Sequence, residues 1–235
     1  MYNILIIKNG YCDTYIDKII NKIVKANILI IKSFDKKINY IQESFIKKWD
    51  FIIILGGYQS VVDIDKYPYL HNIIKLIKIA ISFDIKILGI CLGCQLIAKA
   101  FDYNIIRMNK NEIGYHSTIK LTEEGLLDKV FSNCNNLNNI LSFHTDMIDI
   151  NSNKGIKVLG TYKSIPYIIK IKSAYGIQFH PEVNLCILKN YLKLKCDLLL
   201  SKKNIMDEII KYYENNEEII LDNRLFIIKE WLFKN

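Results

Sequence analysis

The sequence predicts an α/β protein: a mostly parallel sheet flanked by helices, with an antiparallel extension and a helical C-terminal tail. Short isoleucine-rich runs that are apolar at every position read as strands buried on both faces, which is the signature of a parallel sheet. Between them lie stretches whose apolar residues recur at helical spacing, the alternation expected of strand–helix–strand units. Beyond Tyr103 the strand-like runs shorten and Gly, Asn and Asp fill the gaps, and from Asn184 onward the pattern turns helical.

Tyr2 to Ile7 reads as the first buried strand. Ile16, Ile19, Ile20 and Ile23 follow at i, i+3, i+4 and i+7, one face of an amphipathic helix. Ile28 to Ile31 is a second strand, and a helical stretch around Tyr40 to Trp49 leads into a third, Phe51 to Leu55. Pro68 opens the next helix, where a missing N–H costs nothing. Leu70, Ile73, Ile74, Ile77 and Ile81 form its core face, Lys75 and Lys78 its outer one, and His71 reads as a surface histidine. Ile85 to Leu88 is a fourth strand and Gln95 to Ala100 the helix after it. Short strand-like runs then occur at Ile105 to Met108, Ser117 to Leu121, Asn139 to Phe143, Lys157 to Gly160 and Tyr167 to Ile171. A mixed, partly antiparallel extension of the sheet accounts for them, with Asn133 to Asn139 as a surface loop. The last strand is Ala174 to Phe179, and three helices follow. Leu185, Leu188 and Leu192 mark the first, Asn204 to Glu217 the second, and Leu225, Ile228 and Leu232 the third, all expected to cover one flank of the sheet.

The 235 residues suit one domain with a core over 1–185 and a helical extension over 186–235. With 51% apolar and 24% charged residues the composition is that of a globular chain. No apolar run reaches the length of a membrane span. The apolar N-terminal run is short and has no basic flank, so it does not read as a signal peptide, and a cytoplasmic location is expected. The net charge of +8 invites a nucleic-acid reading, but only Arg107 and Arg224 among the 32 basic residues are arginine. The lysines are scattered singly, whereas nucleic-acid recognition favours arginine forks and clustered charge, so no nucleic-acid partner is expected. The cysteines at 12, 91, 94, 134, 186 and 196 show no framework spacing. Cys91 and Cys94 could be half of a zinc site or a redox pair, but no second ligand pair exists and no metal is expected. Cys94 reads instead as an inward-facing residue of the following helix.

Gly89-Ile90-Cys91-Leu92-Gly93 sits between the fourth strand and its helix. Gly-x-Cys-x-Gly at such a junction is the thiol counterpart of the nucleophile elbow. The sharp turn lifts the sulfur clear of the backbone, and the helix N-terminus beneath it favours thiolate. The other reading of Cys91 is a strand-end cysteine packed as a small hydrophobe. A cysteine nucleophile needs a base, and the base needs a group to orient its ring. Of the histidines at 71, 116, 144 and 180, only His180 sits at a strand end with a nearby carboxylate, Glu182, across the rigid Pro181. Read apart from Cys91, His180 is a surface histidine and Glu182 a charge on a helix's first turn.

Gly89 to Gln95 together with Gln178-Phe179-His180-Pro181-Glu182 resembles the class I, triad-type glutamine amidotransferases. Leu55-Gly56-Gly57, Glu112-Ile113-Gly114 and Ser142-Phe143-His144-Thr145-Asp146 add to the resemblance, which runs through residue 185 and is nearest to the glutaminase domain of GMP synthase. It implies the flavodoxin-like fold of that family, with glutamine as substrate, no cofactor, and Cys91, His180 and Glu182 as the triad. It further implies an oxyanion hole from the backbone amides of Leu92 and Gly57, and glutamine held by Gln95 and the backbone of Ser142, Phe143 and His144. Because no synthase domain follows, a separate ammonia-accepting synthase is the expected partner. One position departs from the family: Tyr58 stands where a proline usually follows the glycine pair. The expectation is an oxyanion hole that forms only on activation, and hence a weak basal glutaminase. Two other readings use the same residues differently: a hydrolase of γ-glutamyl amides or peptides, and an idle regulatory or binding protein on this fold.

Overall fold

The structure is a computed structural model that describes residues 1–10, 14–35, 42–116, 118–134, 137–150, 155–194 and 203–234. Tyr40, Ser117, Cys12, Cys196 and part of the asparagine-rich loop lie outside the described residues.

Five strands form a parallel unit: β1 (Tyr2–Lys8), β2 (Ala26–Lys32), β3 (Phe51–Ile54), β4 (Lys86–Ile90) and β10 (Ala174–Ile177). The antiparallel β9 (Ile165–Ile171), β8 (Lys157–Tyr162) and β6 (Lys120–Leu121) extend it, giving the order β2-β1-β3-β4-β10-β9-β8-β6. A second, two-stranded antiparallel ribbon pairs β5 (Asn104–His116) with β7 (Ile140–Asp149). The sequence pattern alone puts all of these short strands in one extended sheet. The ribbon stands apart because its strands run to 13 and 10 residues and pair with each other through a register shift between Arg107 and Glu112.

The all-apolar strands are explained by burial on both faces. Alternate side chains of β1 go to opposite layers, Ile4 and Ile6 to one and Leu5 and Ile7 to the other. The first layer holds α1 (Ile16–Ile23) and the last helix, α8 (Glu217–Lys234), whose Trp231 meets Phe51 edge-on at 5.2 Å. The second holds α3 (Tyr69–Ser82) and α4 (Leu92–Ala100). On α3, Leu70, Ile73, Ile77 and Ile81 are buried as the spacing predicts, joined by Leu76 and Ala80, while Ile74 is only half-buried. His71, Lys75 and Lys78 are exposed. Of the stretch expected to be helical just before β3, Glu43–Ile46 (α2) is helical among the described residues, and α5 (Glu123–Leu126) is equally short.

The tail divides into α6 (Leu185–Leu194), α7 (Lys203–Asn215) and α8, with the last break at Asn216 rather than after Glu217. Leu188, Leu192, Ile209, Tyr213 and Ile220 pack with Leu141 and Phe143 of β7 as a third apolar cluster. The loop before β7 is more than surface: Cys134 and Leu137 are buried, and Leu137 bridges to Ile119. Asparagines hide this in the sequence, because the two apolar residues among them show no periodicity. Among the described residues no helix is long and apolar enough to cross a membrane.

Candidate active site

Because β3, β4 and β10 are neighbouring parallel strands, their C-terminal ends deliver Gly56–Gly57, Cys91 and His180 to one place. In α/β sheets this edge is where ligands bind. The β4–β10 register puts Ile90 opposite Ile177, and the next residue, Cys91, donates its backbone N–H to the Ile177 carbonyl at 2.8 Å.

Cys91 has φ 52° and ψ −105°, a left-handed conformation that a non-glycine residue holds only when its surroundings enforce it. What enforces it is the close approach of α4 to β3. A Cβ on Gly93 would lie 2.0 Å from the carbonyl oxygen of Ile54, so only glycine lets the helix start there. Cys91 is thereby the cap residue of α4, with the positive end of the helix next to its sulfur. Gln178 donates its Nε2–H to the Cys91 sulfur at 3.5 Å, and the Phe143 carbonyl lies 3.9 Å from it. Cys94 is buried, facing inward as expected, and both cysteines are free thiols.

His180 Nδ1 and Glu182 Oε1 are 2.7 Å apart, with both side chains almost wholly buried. Burial works against a charge on the imidazole, but the Glu182 carboxylate and then the Cys91 sulfur outweigh it and raise the His180 pKa to about 10. The ring is therefore held as imidazolium, with Nδ1–H donating to Glu182. Its Nε2 makes no hydrogen bond within the chain. Gly56 separates ring and thiol: a Cβ there would come 2.8 Å from His180 Cε1 and 3.4 Å from Cys91 Cβ. The Gly56 position thus keeps open the space between the two groups.

An open pocket leads to the sulfur, lined by Gly57, Tyr58, Cys91, Gln95, Phe143 and Asp146, among others. Of the residues expected to hold substrate, Gln95, Phe143 and His144 line it. The Ser142 side chain does not: it is fully buried and lies 3.0 Å from the Tyr167 hydroxyl, the same group that His144 meets. The His144 side chain is also engaged. Its Nδ1 lies 3.0 Å from the Asp146 carbonyl, which can only accept, so Nδ1 carries the proton. Nε2 then accepts from the Tyr167 hydroxyl at 3.1 Å. Burial lowers the His144 pKa to about 4 against the help of the Asp146 carbonyl, so this ring is neutral. Gln95 donates to the Asp146 carbonyl at 3.1 Å and to Gln178 Oε1 at 3.3 Å.

The sequence alone assigns no role to Gln178, Tyr167, Asp146, Ser60 or Arg107. Asp146 is buried beneath the rim, where Arg107 Nε approaches it at 2.9 Å and Ser60 donates to it. Arg107 also reaches Asp63 at 2.9 Å. Rarity is the one available signal for Arg107, one of two arginines in the chain. The exposed Tyr58 meets Tyr67 edge-on at 6.1 Å, and the loop behind it is pinned by Gln59, whose Nε2 bonds the Asn9 carbonyl and the Tyr69 hydroxyl at 2.6 Å each.

A strained cysteine elbow beside a buried histidine–carboxylate pair, on a parallel sheet with an antiparallel extension, is the arrangement of one class of α/β proteins. The sequence matches the class-I glutamine amidotransferase family over residues 7–198, and the chain belongs to that family. It is 36% identical over 189 residues to a glutamine amidotransferase-like protein of Acanthamoeba polyphaga mimivirus, covering 80% of each chain. It is 27% identical to the GMP synthase of Ehrlichia canis over 77% of this chain, and spans about a third (36%) of that longer protein. A glutamine-hydrolysing GMP synthase subunit of Sulfolobus acidocaldarius is 27% identical over 63% of this chain and 78% of its own length. Among solved structures, a glutamine amidotransferase of Thermotoga maritima superposes with a TM-score of 0.81 over 99% of this chain and 98% of its own, at 22% identity.

Proposed function

We propose that the chain hydrolyses the side-chain amide of glutamine and hands the ammonia to an acceptor synthase on a separate chain. The observation that carries this reading is the meeting of Cys91 in its strained elbow with the His180–Glu182 pair at adjacent strand ends. The Cys91 thiolate attacks the amide carbon, and the carbonyl oxygen takes the negative charge. The Leu92 and Gly57 backbone amides stabilise that oxyanion, a contribution of about a hundredfold or more per donor in enzymes of this kind. His180 passes its Nε2 proton to the departing nitrogen, which leaves as ammonia. The now neutral ring takes a proton from water, the resulting hydroxide cleaves the thioester, and glutamate and the thiolate are released. Glu182 holds the ring's tautomer throughout, and Gln178 steadies the negative sulfur.

The likeness to GMP synthases, one of them a separate glutamine-hydrolysing chain, supports a nucleotide-making synthase as the acceptor partner. Tyr58 in place of a turn-setting proline supports a site that reaches full rate only with that partner bound.

The test is mass mapping after incubation with a glutamine-mimicking diazoketone, with Cys91→Ser as control. A single adduct on Cys91, blocked by glutamine, is the expected result. A reactive Cys91 that ignores the diazoketone but is acylated by γ-glutamyl peptides would replace glutaminase with γ-glutamyl hydrolase.

A further inference from the structure

One backbone carbonyl sets the orientation of the side chains around the nucleophile. The Asp146 carbonyl oxygen can only accept, and it is met by His144 Nδ1 at 3.0 Å and by the Gln95 amide at 3.1 Å. The Gln95 atom facing it is therefore the amide nitrogen, because the reverse would set oxygen against oxygen. That nitrogen also lies 3.3 Å from the Gln178 amide, so the Gln178 atom opposite it is Oε1. What remains for the Cys91 sulfur, 3.5 Å away, is the Gln178 Nε2–H. Gln95 is 3% exposed and Gln178 fully buried, which shields both bonds from bulk water. The carbonyl at the root of this order is itself fixed: Asp146 sits in β7 opposite Arg107, and its carboxylate is held by Arg107 and Ser60.

A glutamine amide carries no charge that would hold it one way round. Left alone, Gln178 could present either Nε2–H or Oε1 to the sulfur. The N–H favours the thiolate, whereas the oxygen would repel it. We infer that Gln95 is a positioning residue for the nucleophile, taking its orientation from the Asp146 carbonyl and imposing on Gln178 the one that keeps an N–H on Cys91. Both amide hydrogens of Gln95 are spent in this, one on Asp146 and one on Gln178, which leaves it no donor for a substrate. The inference deepens the glutaminase reading, because it rests on Cys91 as the nucleophile, but its test reads the thiol without glutamine.

The Cys91 thiolate is followed by its ultraviolet absorbance across pH, with Cys91→Ser as the blank. The wild type is compared with Gln178→Met, Gln95→Met and the double variant. Losing a hydrogen bond to a charged group lowers the thiolate-to-thiol ratio about tenfold or more. Gln178→Met therefore moves the profile to the alkaline side by about one pH unit or more. Gln95→Met frees the Gln178 amide to turn and moves it in the same direction. The double variant moves it no further than Gln178→Met alone, as expected of two residues acting through one bond. The other groups that bear on the sulfur stay in place throughout: the His180 imidazolium, the Cys94 thiol, the Tyr167 hydroxyl and the N-terminus of α4. Gln95→Leu carries the same prediction if the methionine variant does not fold. A Gln95→Met profile that superimposes on the wild type, with a raised KM for glutamine as its effect, makes Gln95 a substrate contact and overturns the inference. Shifts that add in the double variant overturn it as well, since Gln95 would then act on the sulfur by another route. The diazoketone test can fail with these profiles as expected, and they can fail with a glutamine-blocked adduct in hand.

Discussion

Replacing Glu182 with glutamine keeps the shape of the site and removes one charge, so its effect follows from electrostatics alone. The ion pair is buried, with Nδ1 and Oε1 at 2.7 Å. Taking the two charge centres about 4 Å apart at an effective dielectric of about 20, Coulomb's law gives about 4 kcal/mol. That is about three pKa units, which accounts for most of the rise in His180 from 6.5 to about 10. In Glu182→Gln the imidazolium therefore loses its proton about three pH units earlier, with burial then opposed only by the Cys91 sulfur. In the proposed mechanism imidazolium is the acid that expels ammonia, so the alkaline limb of kcat/KM for glutamine is expected to move down by about three units. Stability moves with it. A folded pKa above the unfolded one contributes stability that is complete below pH 6.5 and is lost as the pH rises through about 10. The wild type therefore loses its excess urea resistance over Glu182→Gln across that window. The assay is a pair of pH–rate profiles with urea midpoints from pH 6 to 10. Superimposable alkaline limbs would refute the coupling of His180 to Glu182 on which the mechanism depends.

Three further outcomes are expected. Gly93→Ala drives a Cβ to within 2.0 Å of the Ile54 carbonyl, so α4 must shift. The rate of Cys91 modification by the diazoketone then falls at least tenfold and Tm drops, and an unchanged Tm would show that the elbow is not held by this contact. Gln178→Leu removes the 3.5 Å donor to the sulfur. At about 1.5–3 kcal/mol for a bond to a charged group, glutaminase kcat falls roughly 10- to 150-fold, measured by steady-state glutamate release. Trp231→Ala empties a fully buried site against Phe51 and costs about 3–5 kcal/mol in urea unfolding, leaving kcat unchanged under conditions where the variant is folded.

The parallel half of the fold was legible because its rules are local. Isoleucine runs such as Ile4 to Ile7 leave no polar face, and α3 repeats its apolar residues at a clean helical period. Cys91 and His180 were legible for a related reason, since each stands at the end of such a run with its special neighbours adjacent in sequence. The β5–β7 ribbon was not, because pairing between 104–116 and 140–149 is a long-range choice that alternation does not encode. Gln178, Tyr167 and Asp146 were missed for a third reason. Each acts by hydrogen-bonding a residue more than twenty positions away, Gln178 to Cys91, Tyr167 to Ser142, and Asp146 to Ser60. Polar partnerships of that span leave no periodic trace.

The order of strands also sets when the chain can become reactive. Cys91 ends the fourth strand of the sheet in sequence, yet its sheet neighbour on the far side is the tenth, which carries His180 at its end. During synthesis the thiol leaves the ribosome well ahead of its base, with the whole β5–β7 ribbon and the antiparallel strands still to come. Pairing strands so distant in sequence is an intrinsically slow step. Until β10 slots between β4 and β9, the nascent chain holds an ordinary cysteine. In the proposed mechanism the thiol gains its base only as the sheet closes, so a chain arrested before residue 180 is expected to release no ammonia from glutamine.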